Sequence, residues 1–270
     1  MVAALEGLRV LQVGSGEAAS IAGMVLAENG AEVILVERPG GSSDRRRPGH
    51  VTWNRGKRSV VADLDTDAGR ADLATLAATA DGVIVAVRPD RIAALGADAD
   101  NLEAANPALV HVQITGFGDT GPLRDLDGYE GVLAAVTGRM ATLGGDRPVF
   151  TPVPIAAYGA GLLAVQGLLA AVHERRRTGR GRRIRTSLLQ ALSAYDMISG
   201  IGNRTNTTSS EGHVFGVMRV GFMTAPTADG RHLQMCSRQR HHYGNWLTAL
   251  GLDELLSAPD LEHAPDLYPS

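Results

Sequence analysis

The sequence predicts an α/β protein, a doubly wound parallel sheet followed by a smaller α+β region. Three observations carry that reading. Residues 8–13 (L-R-V-L-Q-V) form a short apolar strand, 21–29 place apolar residues at helical spacing, and 31–36 (A-E-V-I-L-V) form a second strand. Strand, helix and strand within about 30 residues make a βαβ unit, whose strands run parallel. The alternation continues with a helix over 66–80, a buried strand in D-G-V-I-V-A-V (81–87) and another over 108–115. From Glu130 onward the pattern changes to helices, over 130–143, 155–176 and 188–200.

Individual elements have local reasons. Gly30 follows the last periodic residue of the first helix and suits a C-cap. Residues 39–51 (P-G-G-S-S-D-R-R-R-P-G-H-V) are rich in Gly, Ser, Arg and Pro, and are expected to be a loop that is mobile without ligand. The apolar run 155–172 approaches the length of a membrane span. It contains Gly159, Gly161, Gln166 and Gly167 and leads into H-E-R-R-R, which predicts a buried core helix. Residues 223–236 read as two strands around an Asp229-Gly230 turn, and 241–256 as a further helix. The domain organisation expected is 1–200 and 201–270, followed by no further structural stop signal in the Pro-broken tail.

Composition narrows the class. The 270 residues are 44% hydrophobic and 20% charged, with a net charge of -3, which points to neither nucleic acid nor an anionic membrane as partner. The single cysteine, Cys236, lies in an apolar run and forms no disulfide within the chain. With no basic and apolar leader at the N-terminus, a cytoplasmic location is expected. His241 and His242 lack a carboxylate at ligand spacing, so no metal is expected. Asn203 and Asn206 open glycosylation sequons by pattern only, without meaning in a cytosolic protein.

Two features bear on chemistry. Gly14-Ser15-Gly16-Glu17-Ala18-Ala19 follows a strand and opens a helix, and Glu37 ends the next strand. Together they imitate a dinucleotide-binding fingerprint, although a tight βα turn explains the glycines equally well. Basic residues form the second feature: Arg38, the cluster Asn54 to Ser59 with Lys57 and Arg58, and Arg88. One such cluster is ordinarily a solvated loop. Three at one carboxyl edge of a parallel sheet predict a ligand with several phosphates.

The chain resembles the class III CoA-transferases, which include formyl-CoA transferase, carnitine CoA-transferase and the 2-methylacyl-CoA racemases. The resemblance rests on L-E-G-L-R-V-L, V-E-R-P-G, W-N-R-G-K-R-S-V-V-A-D-L, V-R-P-D, I-T-G-F-G-D-T-G-P, G-Y-E and R-T-G-R-G-R-R-I, in order, to about Leu256. It implies a large Rossmann-like domain with a smaller one, here short of the family's usual length, and an interlocked dimer. It also implies coenzyme A as substrate and product thioester, with Arg38, Asn54, Lys57, Arg58 and Arg88 at CoA-binding motif positions. Arg38 and Arg88 would lie nearest the CoA phosphates.

The departures matter as much as the matches. In the family an aspartate opens the helix after the G-Y-(D/E) segment, attacks the acyl thioester and gives a mixed anhydride, then an enzyme thioester. The family pattern is close to A-I-A-D-L-A-A-G-L, whereas this chain reads P-I-A-A-Y-G-A-G-L, which puts Ala157 at the aspartate position. The racemases' proton-transfer histidine is absent too, since the segment reads Gly128-Tyr129-Glu130. Glu130 holds a family site acid and is the remaining catalytic candidate; an acid favoured by its own helix dipole is the plain alternative.

The expected function is therefore an acyl-CoA-binding member of this family. It would be the non-nucleophilic subunit of a heteromeric CoA-transferase, acting on an acyl-CoA and a carboxylic acid, as a homodimer or beside an Asp-bearing homologue. The alternatives are a non-catalytic CoA-thioester-binding or decayed homologue, and a nicotinamide-dependent oxidoreductase built on the glycine turn and Glu37.

Overall fold

The structure, a computed structural model, describes residues 3–142, 147–195, 224–234 and 239–259. The chain divides into two compact units, Met1–Asp196 and Met197–Ser270. In the first, β1 (Arg9–Gly14), α1 (Glu17–Glu28) and β2 (Glu32–Glu37) form the expected βαβ unit. Then follow a 3-10 turn (Ser43–Arg46), α2 (His50–Trp53), β3 (Arg58–Val61), α3 (Asp67–Ala78) and β4 (Gly82–Ala86). The rest is α4 (Pro89–Ile92), α5 (Ala99–Ala105), β5 (Val110–Thr115), α6 (Glu130–Val136), α7 (Arg139–Thr142), α8 (Ile155–Thr178), β6 (Arg183–Ser187) and α9 (Leu188–Tyr195).

The six strands are all parallel, in the order β3-β2-β1-β4-β5-β6. The order reverses between β1 and β4, which leaves a crevice at their carboxyl ends, where ligands of doubly wound sheets bind. Alternation along the strands supplies two cores. Val10, Ile84, Val110, Val112 and Ile114 join α1, α8 and α9 on one face, while Leu11, Val13, Val83 and Val85 join α3 and α5 on the other.

Small residues let α1 and α8 pack closely. A Cβ at Gly161 would stand 2.8 Å from the Ala18 carbonyl oxygen, so the two backbones nearly touch there. The α8 helix is long and apolar enough to cross a membrane, yet Ala156, Ala160, Ala164 and Leu168 are fully buried in the core. At its far end Arg175 donates to the Asp81 carboxylate at 2.6 Å and to the Asp81 and Ala108 carbonyls, which ties α8 to the amino ends of β4 and β5.

Several sequence expectations change. The helix expected over 130–143 is two, because Gly138 takes φ of 74° and ends the first. The strands β3 and β6 were not expected. Both lie at sheet edges, and β6 (R-I-R-T-S) carries arginines where a central strand would be apolar. The expected helix 188–200 is described only as α9, its remainder, like Cys236 and the two sequons, lying outside the described residues.

In the second unit, Thr224–Pro226 and His232–Gln234 pair antiparallel around the expected turn, with Gly230 at φ of 79°. The helix expected over 241–256 stops at Ala249. Gly251, at φ of 70°, separates it from a 3-10 turn over Asp253–Ser257.

Candidate functional site

At the crevice, β1 ends on Gly14, whose φ is 94° and whose Cβ, if it had one, would lie 2.2 Å from the Ala86 carbonyl oxygen. Only glycine lets β1 and β4 end side by side here. The next turn leads into α1, and its Gly16 N–H donates to Asp44 Oδ2 at 2.9 Å. Glu37, at the carboxyl end of β2, has a side chain only 2% exposed and accepts from Arg45 Nε at 2.9 Å, from Arg45 Nη2 and from the Ser42 N–H. Hydrogen bonding from Arg45 holds the Glu37 carboxyl below its usual range.

Both parts of the apparent dinucleotide fingerprint are thus used internally. The amide that would meet a pyrophosphate meets Asp44, and the acid that would receive a ribose hydroxyl is closed by Arg45. The loop over 39–51 runs as a strap with contacts at Asp44, Arg45 and Arg47. Arg47 Nη1 donates to Glu17 Oε1 at 3.1 Å.

The five basic and amide residues singled out in the sequence do not converge. Arg38 and Arg88 do stand at the carboxyl ends of β2 and β4, either side of the glycine turn. Arg38 Nε donates to the Gly41 carbonyl, and Arg88 pairs with Asp90 and Asp127 at 3.1 and 3.2 Å. Lys57 points inward. Its Nζ donates to Gln12 Oε1, the Ser20 carbonyl and Asn54 Oδ1, each at 2.8 Å, which uses all three ammonium hydrogens. Burial pushes its pKa down to about 7. Asn54 is likewise spent on Lys57 and on His50. Arg58 opens β3 and pairs with Glu32 at the amino end of β2, at the opposite edge of the sheet. It was expected beside Arg38; the parallel register of β3 puts it at the other end.

A small open cleft, with room for about one water, lies between the strap and α1, lined by Gly16, Glu17, Ser20, Asp44, Arg47, His50, Trp53 and Asn54. Trp53 Nε1 donates to the Tyr158 hydroxyl at 3.2 Å, which joins α2 to the start of α8. Pro154 caps α8 and has no side-chain acceptor, so its first amides are served from elsewhere. Glu130 supplies the acceptors: Oε1 takes the Ala156 N–H at 2.8 Å and Oε2 the Ala157 N–H at 3.1 Å. Ala157 itself is 3% exposed, and its methyl joins the core.

Sequence reasoning missed Glu17, Asp44, Arg45 and Arg47 as site residues. Their signal was present as an acid directly after the glycine turn and as D-R-R-R in a loop at the carboxyl edge. What linked them was invisible, because each partner lies about 30 residues or fewer away across a chain crossing rather than at a periodic spacing.

The sequence profile of CoA-transferase family III matches residues 5–267. The chain belongs to CoA-transferase family III. Succinate–glutarate CoA-transferase of Agrobacterium fabrum is 37% identical over 209 residues, which are 70% of this chain and 52% of that protein. The succinyl-CoA–L-malate CoA-transferase alpha subunit of Chloroflexus aurantiacus is 33% identical over 202 residues, 70% of this chain and 47% of that one. A CAIB/BAIF family protein from Brucella suis has a similar crystal structure, with a TM-score of 0.77 at 28% identity, covering 96% of this chain and 72% of its own. The chain spans about half the length of the curated relatives it matches. For this family III chain, the position read as the acyl-carrying aspartate is the buried Ala157.

Proposed function

We propose that the chain binds an acyl-CoA at the carboxyl edge of its sheet and is the non-nucleophilic subunit of a heteromeric CoA-transferase. The whole enzyme would move CoA between an acyl-CoA and a carboxylic acid, with an Asp-bearing homologue supplying the acyl carrier. Residues 1–200 would hold the CoA, with 201–270 as the smaller domain. The single observation behind the reading is the pairing of Ala157 with Glu130. A methyl group accepts no acyl group, and the Glu130 carboxylate beside it has both oxygens hydrogen-bonded to helix amides. The alpha-subunit relative supports a two-chain arrangement. Arg38 is the first candidate for a CoA phosphate, because its guanidinium makes no ion pair among the described residues.

The test combines binding with mass spectrometry. Calorimetry should show CoA and acetyl-CoA binding, and tighter binding of NAD would overturn the reading. Incubation with acyl-CoA esters should leave the isolated chain without a covalent acyl or CoA adduct. An adduct on Glu130 would mean that this chain carries the acyl group itself. If neither the native chain nor Ala157→Asp binds any CoA ester, the decayed-homologue alternative takes its place.

A further inference from the structure

Residues 42–55, the strap together with α2, are joined to the rest of the chain almost wholly by polar side chains. None of the described residues in this segment is buried, and Val51 is 79% exposed. Trp53 alone among them packs against a core, and it is only partly buried. The backbone hydrogen bonds of the segment are local: Arg45 to Ser42, Arg47 to Asp44, His50 to Arg47, Trp53 to Gly49 and Asn54 to His50. Among the described residues none runs from it to the sheet, to α1 or to α8.

What fastens the segment is mostly charge. Arg45 pairs with Glu37 at the end of β2, Arg47 with Glu17 at the start of α1, and Arg55 with Glu28 at the end of α1. All three arginines are about half exposed, and ion pairs of that kind add little stability and are screened by salt. Asp44 on the Gly16 N–H and Trp53 on Tyr158 complete the fastening. Glycines with positive φ stand at both ends, Gly40 and Gly41 at 82° and Gly56 at 75°. Nothing lies within 4 Å of where a Cβ of Gly40 would be, and only Ala27 approaches Gly56, at 3.4 Å. Glycine moves between backbone conformations without the barrier a Cβ imposes, so both ends are free to turn. A segment with so little buried apolar surface belongs to the least costly local openings of a fold.

We propose that residues 42–55 are a lid over the carboxyl edge of the sheet, hinged at Gly40–Gly41 and at Gly56 and held shut by an ionic latch, Arg45 on Glu37 and Arg47 on Glu17. Opening lifts Asp44 and Arg45 off the ends of β1 and β2 and parts Trp53 from Tyr158. Water then takes the place of Arg45 at the Glu37 carboxylate. Lys57 loses Asn54 but keeps Gln12 and the Ser20 carbonyl, so the chain beyond the second hinge stays anchored. The lid's part in admitting an acyl-CoA rests on the reading that this ligand binds at the carboxyl edge; the opening itself does not.

Two groups report on the lid in the full chain. Exchange of the Gly16 amide hydrogen, followed by NMR, reads how often Asp44 is away from it. Acrylamide, an uncharged quencher, reads the exposure of Trp53 in a Trp246→Phe background, where it is the one remaining tryptophan. Raising salt from about 0.1 to about 1 M shortens the Debye length from about 10 to about 3 Å and should increase both readings together. At the lower salt, Arg45→Ala/Arg47→Ala should raise the open-to-closed ratio about fivefold, the worth of two exposed pairs, and remove most of the salt response. Bound CoA should lower the quenching of Trp53, as the lid closes on it. Readings that ignore salt in the native chain, or a Gly16 response without one at Trp53, overturn the lid; this arm needs no latch variant, so it stands even where the double variant fails to fold. CoA binding seen by calorimetry that leaves Trp53 equally exposed overturns the lid as a gate for this ligand. If calorimetry finds no CoA binding, the acyl-CoA reading of the edge falls, and the salt response alone decides whether the segment opens as a unit.

Discussion

Glu130 and Ala157 are joined through the backbone: the Glu130 carboxylate accepts the Ala157 N–H at 3.1 Å and, through its other oxygen, the Ala156 N–H at 2.8 Å. The acid begins α6, yet its hydrogen bonds cap α8. An anion at a helix N-terminus satisfies orphan amides and complements the helix dipole. Glu130→Ala should therefore destabilise the chain by about 1 kcal/mol, the usual worth of a cap. In thermal unfolding this is a fall of roughly 2–4 °C for a chain of this size. No change in melting temperature would mean that water serves these amides equally well.

The Glu37–Arg45 pair fastens the strap and should be costly to break. Arg45→Ala leaves Glu37, 2% exposed, without its cation. Removing one partner of a pair leaves the buried carboxylate without its cation, so Arg45→Ala should lower the midpoint of denaturant unfolding, by less than a fully buried pair would because Arg45 is half exposed. The pH dependence follows the sign of the shift. The folded carboxyl is held below its unfolded value of 4.5, so the stabilisation is present above about pH 4.5 and is lost as pH falls through the folded pKa. Arg45→Ala should flatten that acid limb of the stability curve.

Lys57 should act in the opposite pH range. Its folded pKa is pushed down from 10.5 to about 7, so between those values the unfolded chain binds more protons. Stability should rise with pH across that window, by up to about 1.4 kcal/mol for each unit of depression. The three acceptors around Nζ favour the ammonium and reduce the size of the rise. Lys57→Met removes the titrating group, and denaturant titrations at several pH values should then show no slope from it.

Arg38 and Arg88 should differ as CoA ligands although both stand at the carboxyl edge. Arg38→Ala is expected to weaken CoA binding by about 1.5–3 kcal/mol, the range for a charge-assisted hydrogen bond. Arg88 is already paired with Asp90 and Asp127, so part of any gain from a phosphate is spent on displacing them. Arg88→Ala should therefore weaken CoA binding less than Arg38→Ala does. Calorimetry against CoA at two salt concentrations checks both, since screening weakens the exposed contacts. Equal effects would show that the aspartates release Arg88 freely.

The sequence by itself determined the strands β1, β2, β4 and β5 with the helices α1 and α3, the hairpin around Gly230 and the alanine at position 157. Each of these depends on local spacing: period two or 3.6 in the apolar residues, glycine where φ is positive, and an ordered run of family motifs. The edge strands β3 and β6 escaped because an edge strand needs little apolar surface, and arginines there are solvated or paired. Tertiary structure alone decided what the polar residues do. It turned Lys57 inward to Gln12 on β1, and the parallel register of β3 carried Arg58 to the far edge, beside Glu32. It set Asp44 on the Gly16 amide and Glu130 on the amides of α8. These pairs are made where separate segments cross. A hydrogen bond needs its two atoms within about 3 Å in space, and no periodicity along the chain encodes which distant donor will arrive there.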